Sequence, residues 1–370
     1  MGNQTIIPFF GVKRQYENLR NEILHVTDSV LSTGQALDGA YTKSFEYAIA
    51  TRCDRKYAIS VNSCTQGIIM ALQSIEGPGK VVIPAVSFAA TVNSVMMTEH
   101  TPQFCDVDGY GIMDLGNLPI TLNDNTVSAV MYVNLYGNTI DYDKLRVHTS
   151  FFGNNPVIIE DAAQSFGASY KGIPSGKLGD ISVLSFDPTK NFNNYGSGGM
   201  ILTDDARIAE ALLDFKDNGK NGGHCWPGTN SKMSEVDCAQ MLVKLQYFDE
   251  WQKRRSDIAN YYIQQLQSYI DIIGPGAGVD HAWHKFVVRH ENRTRLRHHL
   301  AIHGVETKIH YEKALTDLDI SVGYVQYPTD VTAFYNATEL CKSTLSLPIY
   351  PEMTDSEVEH VAQSVKEFFW

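Results

Sequence analysis

The chain has 370 residues, 43% hydrophobic and 19% charged, which suits a large folded domain with a smaller partner and excludes a disordered chain. A formal net charge of −12 excludes general affinity for the phosphate backbone of nucleic acid, which requires a basic surface. The start MGNQTIIPFF has neither the basic nor the apolar region of a signal peptide and no stretch approaches a membrane span, so a soluble, cytoplasmic protein is expected.

In chain order, the apolar run YAISV reads as a strand, and the turn NSCT at 62–65 joins it to the helical pattern TQGIIMALQSI. Further short runs follow: KVVIPA, QFCDV, VSAVMYVN, PVIIEDAA, ISVLSF and GGMILTDD. Bounded by Gly, Pro and Asp, they predict buried strands of a largely parallel sheet with helical layers. Ligands of such sheets bind beyond the carboxyl ends of the strands, which makes the turns there the candidate site. From residue 232 a long helical stretch follows, with Val236, Ala239, Met241, Leu242 and Leu245 at helical spacing. HKFVVRH then reads as a strand, and RTRLRHHLAIHG and DSEVEHVAQSVKEFF read as helices. The expected fold is α/β, with a large domain over 1–250 and a small C-terminal α/β domain over 251–370. Cysteines at 53, 64, 105, 225, 238 and 341 form no CxxC pair and no zinc-type spacing with histidine, so they read as reduced, mostly buried thiols and no metal is expected.

Four places at the strand ends carry potential chemistry. Lys190 follows the strand ISVLSF and the turn residues Asp187 and Pro188, and precedes the Asn- and Gly-rich NFNNYGSGG. Alone it would read as a solvated surface charge. Asp161 ends the strand PVIIED, where a carboxylate must be paired or hydrogen-bonded; it is either a helix cap for AAQSFG or the partner of a cationic ring nitrogen. Gln164 lies one turn further on. The backbone N–H groups of Cys64 and Thr65 would open a helix and so favour a phosphate there, although the same polar residues serve as ordinary caps. Phe88, after the strand KVVI, is either a core residue or a platform for a ring.

The order of NSCT, PAVSF, LYG at 135–137, EDAAQSFGA at 160–168, SFDPTKN at 185–191 and GTNSKMSE at 228–235 resembles the nucleotide-sugar aminotransferases of the DegT/StrS family, across nearly the whole chain. The C-terminal GVETKIHY and LSLPIYPEMTDSEVEHV share the resemblance. It implies a fold-type I pyridoxal-phosphate enzyme. Lys190 then holds the cofactor covalently and moves the proton, and Asp161 pairs with the pyridinium nitrogen. Cys64, Thr65 and Ser185 contact the phosphate, Phe88 stacks on the ring, and Gln164 helps to position it. Asn230 matches a residue that reaches the phosphate from the partner subunit, which implies a homodimer with shared sites. Lys308, His310 and Tyr311 are the candidates for binding a nucleotide-linked keto sugar.

The family pattern is broken at Cys64, where glycine is frequent, at Lys232, where arginine is frequent, and at Glu312, where proline is frequent. The first is tolerable because the contact is through backbone; the other two bear on substrate. The implied reaction takes an amino group from an amino acid, with L-glutamate the expected donor, and delivers it to the sugar by a ping-pong sequence. NFNNYGSGG and FDEWQKRR favour amination at a 3-keto over a 4-keto position. The alternatives are a dehydratase or cyclitol aminotransferase of the same fold, and a regulatory relative without catalysis. No GxGxxG follows the first strand, which argues against a dinucleotide-binding oxidoreductase.

Overall fold

The computed structural model describes residues 6–118, 126–150, 155–220, 223–224, 227–324 and 333–370. All seven apolar runs form strands of one sheet: β1 (Tyr57–Val61), β2 (Lys80–Pro84), β3 (Thr101–Cys105), β4 (Val127–Val133), β5 (Val157–Asp161), β6 (Ile181–Ser185) and β7 (Gly199–Thr203). Their spatial order is β1-β7-β6-β5-β4-β2-β3. Neighbours from β6 to β3 pair parallel, whereas β7 runs antiparallel to both β6 and β1. Every residue of β6 and β7 is buried, as expected of strands covered on both faces.

The covering helices explain that burial. α1 (Val12–Leu31) and α2 (Ala40–Arg52) both pack on the later helix Glu235–Leu245, and α2 also lies against β1. α3 (Cys64–Gln73) buries Ile68, Met70, Ala71 and Leu72 and lies on β6 and β7. α4 (Ala90–Met96) packs on α3 and on β2 and β3. The stretch read as one helix after residue 232 is two: α5 (Glu235–Leu245), capped by the Ser234 side chain, and α6 (Phe248–Leu266), separated at Gln246 and Tyr247. The break lets Phe248 pack with Phe166 and Phe192 of the first unit while Ile258, Tyr262 and Leu266 enter the core of the second.

That second unit has an antiparallel sheet of β8 (Asp271–Ile273), β9 (Phe286–Arg289) and β10 (Thr344–Leu347). α7 (Arg293–Ile302) and α8 (Asp355–Glu367) complete its core. Ile7 pairs with Val305 and is buried in the same cluster, so the segment at Ile7 is fastened to the second unit. The segment GVETKIHY runs beside β10 through the bridge Lys308–Ser346 and then crosses to the large sheet, where the Leu315 N–H donates to the Ala85 carbonyl at 2.7 Å. This crossing roofs the carboxyl ends of the parallel strands. Cys53, Cys64, Cys105, Cys238 and Cys341 are buried; Cys225 lies outside the described residues.

Candidate active site

Beyond those strand ends lies a cavity of about 400 Å3. Cys64, Thr65, Phe88, Asp161, Gln164, Ser185 and Lys190 line it from the large sheet, and Lys308, His310 and Tyr311 from the crossing segment. Asn230 does not. It is exposed on a segment that runs past the turn before α3, where the Asn62 N–H donates to the Ser231 carbonyl at 2.7 Å.

Asp161 reaches the cavity because β5 stops there and the chain turns. Its Oδ1 accepts from the Ala163 N–H at 3.1 Å and its Oδ2 from the Thr91 hydroxyl at 3.5 Å, so it caps a turn and no helix follows. Burial pushes its carboxyl up from 3.8 to about 6, with the Ala163 N–H and the Lys190 amine acting the other way. A buried carboxylate so poised favours a cationic hydrogen-bond partner. Next to it in sequence, Glu160 points to the opposite face of the sheet. There it accepts from Asn134 Nδ2, the hydroxyls of Ser175 and Ser182, and the N–H groups of Gly176 and Leu178, at 2.6–3.1 Å. This network holds the end of β5 in place.

α3 begins at Cys64, as the turn chemistry predicts. Ser63 caps it by accepting from the Gln66 N–H at 3.1 Å. The N–H groups of Cys64 and Thr65, in the first turn, have no acceptor one turn earlier in the helix and are available to an anion. A Cβ at Gly199 would lie 2.7 Å from the Cys64 nitrogen, so glycine keeps that helix start clear. Burial pushes the Cys64 thiol well up, leaving the backbone as its useful group. Ser185, at the end of β6, adds a hydroxyl to the same wall. A phosphate, a cationic ring and an amine-reactive carbonyl all find fitting groups here.

Phe88 is not a core residue: it is 59% exposed, its ring centroid 6.1 Å from that of Tyr311. Gln164 accepts from the Tyr136 N–H at 2.9 Å and donates to the Tyr311 hydroxyl at 3.1 Å. The His310 carbonyl accepts from the Tyr136 hydroxyl, and the His310 ring pairs with the Ser346 hydroxyl at 2.8 Å. Burial, together with Lys285, Lys190 and Lys308, pushes His310 down to about 2, so its imidazole is neutral at ordinary pH. Of the departures from the family pattern, Lys232 forms an ion pair with Asp217 and Glu312 is exposed.

Phe10, His284 and Lys285 also line the cavity, and sequence reasoning did not single them out. The signal in the sequence was a lysine opening the otherwise apolar run HKFVV.

The family model described as the DegT/DnrJ/EryC1/StrS aminotransferase family matches residues 17–366. The chain is 31% identical over 374 residues to the dTDP-3-amino-3,4,6-trideoxy-alpha-D-glucose transaminase of Streptomyces venezuelae, covering 98% of this chain and 96% of the relative. It is also 31% identical to a pleiotropic regulatory protein of Geobacillus stearothermophilus, with 98% of each chain covered. Among solved structures, that of Streptomyces venezuelae DesV in complex with a ketimine intermediate superposes with a TM-score of 0.93 at 31% identity, covering 98% of both chains.

Proposed function

Because the chain belongs to the DegT/DnrJ/EryC1/StrS aminotransferase family, and is thus a pyridoxal-phosphate-dependent sugar aminotransferase, we propose that it moves the amino group of L-glutamate onto the 3-keto carbon of a nucleotide-linked sugar in a ping-pong sequence. The observation that carries this reading is the meeting of Lys190, Asp161 and the open start of α3 on one cavity. The 3-keto preference draws on the sequence features above and on the 3-amino sugar in the name of the Streptomyces relative.

The cofactor, when bound, supplies an electron-withdrawing ring that takes up the electron pair left at the amine carbon. The residues of this chain do the rest. The Asp161 carboxylate would keep the ring nitrogen protonated, the N–H groups of Cys64 and Thr65 and the Ser185 hydroxyl would hold the phosphate, and Phe88 would help to hold the ring. Gln164 positions the ring's surroundings through Tyr136 and Tyr311. Lys190 would hold the cofactor through its amine, and when free that amine would take a proton from the donor's amine carbon and, in the second half, deliver one to the sugar carbon that receives the nitrogen. Lys308, His310 and Tyr311 orient the nucleotide sugar at the cavity roof, and free energy from the remote nucleotide aligns the reacting carbonyl. Asn230 contributes to the site of a partner subunit in a homodimer. Among the described residues no helix is long and apolar enough to cross a membrane, in keeping with the cytoplasmic location proposed here.

The test incubates the purified protein with L-glutamate and a panel of 3-keto and 4-keto nucleotide sugars, each paired with its free sugar. Glutamate-dependent amination of a 3-keto nucleotide sugar, with little turnover on the free sugar, is the expected result. Amination only at a 4-keto carbon overturns the position, and equal turnover on free sugars overturns the nucleotide requirement. Absence of turnover on every sugar would favour a regulatory role like that named for the Geobacillus relative. Borohydride trapping followed by peptide mapping places the cofactor on Lys190 or removes that assignment.

A further inference from the structure

Lys285 immediately precedes β9, and its side chain is carried between the two units rather than into solvent: the residue is 5% exposed. It lines the cavity described above and also a smaller one of about 20 Å3 behind Lys190. Its Nζ lies 4.5 Å from the ring centroid of Phe10 and 5.1 Å from that of Phe9, and Lys308 Nζ approaches the same two rings at 5.3 and 6.0 Å. Two amines therefore share one aromatic edge beside Lys190.

Among the described residues no acid forms an ion pair with either amine, although Asp187 partly offsets Lys285 and Glu352 lines the smaller cavity. Asp161 and Asp187 are the acidic residues on the larger cavity; the first is engaged by Ala163 and Thr91, and Asp187 Oδ1 accepts from the Thr189 N–H and hydroxyl at 2.9 and 2.6 Å. Lys285 has no ion-pair partner among the described residues, and burial together with Lys190, Arg255 and Lys308 pushes its amine well down. Beside it, His284 Nδ1 and Arg255 Nε are buried without a hydrogen-bond partner, and both residues line the smaller cavity. Retaining an amine at such a place costs stability unless something anionic joins it. The geometry favours a carboxylate. A diphosphate has exposed Lys308 and the roof available to it, whereas the buried amine faces the space beside Lys190 where the reacting carbons must sit.

Resting on the aminotransferase reading, we propose that Lys285 is a substrate-binding residue that takes a carboxylate carried by a reactant, either that of the amino donor or one on the sugar itself.

The test titrates non-reacting probes into the cofactor-loaded wild-type, Lys285→Met and Lys285→Arg enzymes and follows the cofactor absorbance. Glutarate stands for the donor carboxylate, and UDP-glucuronate for an acidic sugar with UDP-glucose as its uncharged control. The proposal expects Lys285→Met to bind one carboxylate probe about tenfold or more weakly, with Lys285→Arg recovering most of the loss. Loss confined to glutarate assigns the donor, and loss confined to UDP-glucuronate, with UDP-glucose unchanged, assigns the sugar. Wild-type enzyme that binds neither carboxylate, or a methionine variant within twofold of wild type for both, overturns the subsite. Failure to bind UDP-glucose bears on the nucleotide-sugar reading and leaves the glutarate comparison intact.

Discussion

The carboxamide of Gln164 donates to the Tyr311 hydroxyl at 3.1 Å while accepting from the Tyr136 N–H at 2.9 Å, so one side chain ties the turn after β5 to the segment that roofs the cavity. Tyr311→Phe removes one end of that tie and leaves the buried Gln164 amide short of an acceptor. The expected cost is about 1–2 kcal/mol of stability, read from urea unfolding, together with weaker binding of the keto sugar. A variant with wild-type stability would show that water replaces the hydroxyl.

Asp161 yields a pH-dependent expectation. Its carboxyl is raised from 3.8 to about 6, so in cofactor-free protein the neutral form is favoured by the fold; the stability this contributes is present below about pH 4 and is lost as the pH rises through 6. Cofactor-free Asp161→Asn, which stays neutral, should therefore be more stable than wild type at pH 8, by up to about 3 kcal/mol, and equal to it at pH 4. With cofactor the same substitution should lower turnover by several orders of magnitude, because an amide cannot keep the ring nitrogen protonated. Thermal unfolding at the two pH values and steady-state rates check the two halves independently.

Glu160 is buried and committed to donors from three neighbouring segments. Glu160→Gln places an amide donor among other donors, and the expected loss is about 3 kcal/mol or more. Chemical denaturation measures it, and a change below about 1 kcal/mol would rule out the hub role.

Asn230 is exposed and lies away from the cavity of its own chain, although Ser231 beside it is bonded to the turn before α3. If it serves a partner's site, mixed dimers of Lys190→Ala and Asn230→Ala contain one site with both defects and one with neither. Such dimers should recover up to about half of the wild-type rate from two impaired parents. Verified heterodimers without recovery would locate the whole site within one chain.

The seven strands were legible because a strand buried on both faces must be a continuous apolar run, and those runs stand between turn residues. Lys190, Asp161, Ser185, Phe88 and the start of α3 were legible for a related reason: each stands at or just beyond a strand's carboxyl end, where an α/β sheet exposes its ligand site. Periodicity was silent about the rest. It could not reverse β7, since antiparallel and parallel buried strands have the same composition, and it ran α5 and α6 together because their apolar spacing continues across the break at Gln246 and Tyr247. Lys285 is the sharpest case. A lysine at the mouth of a strand is ordinarily solvated, and only the packing of the second unit against Phe9 and Phe10 buries this one beside Lys190, because burial depends on which surfaces meet and not on the residue's own neighbours in the chain.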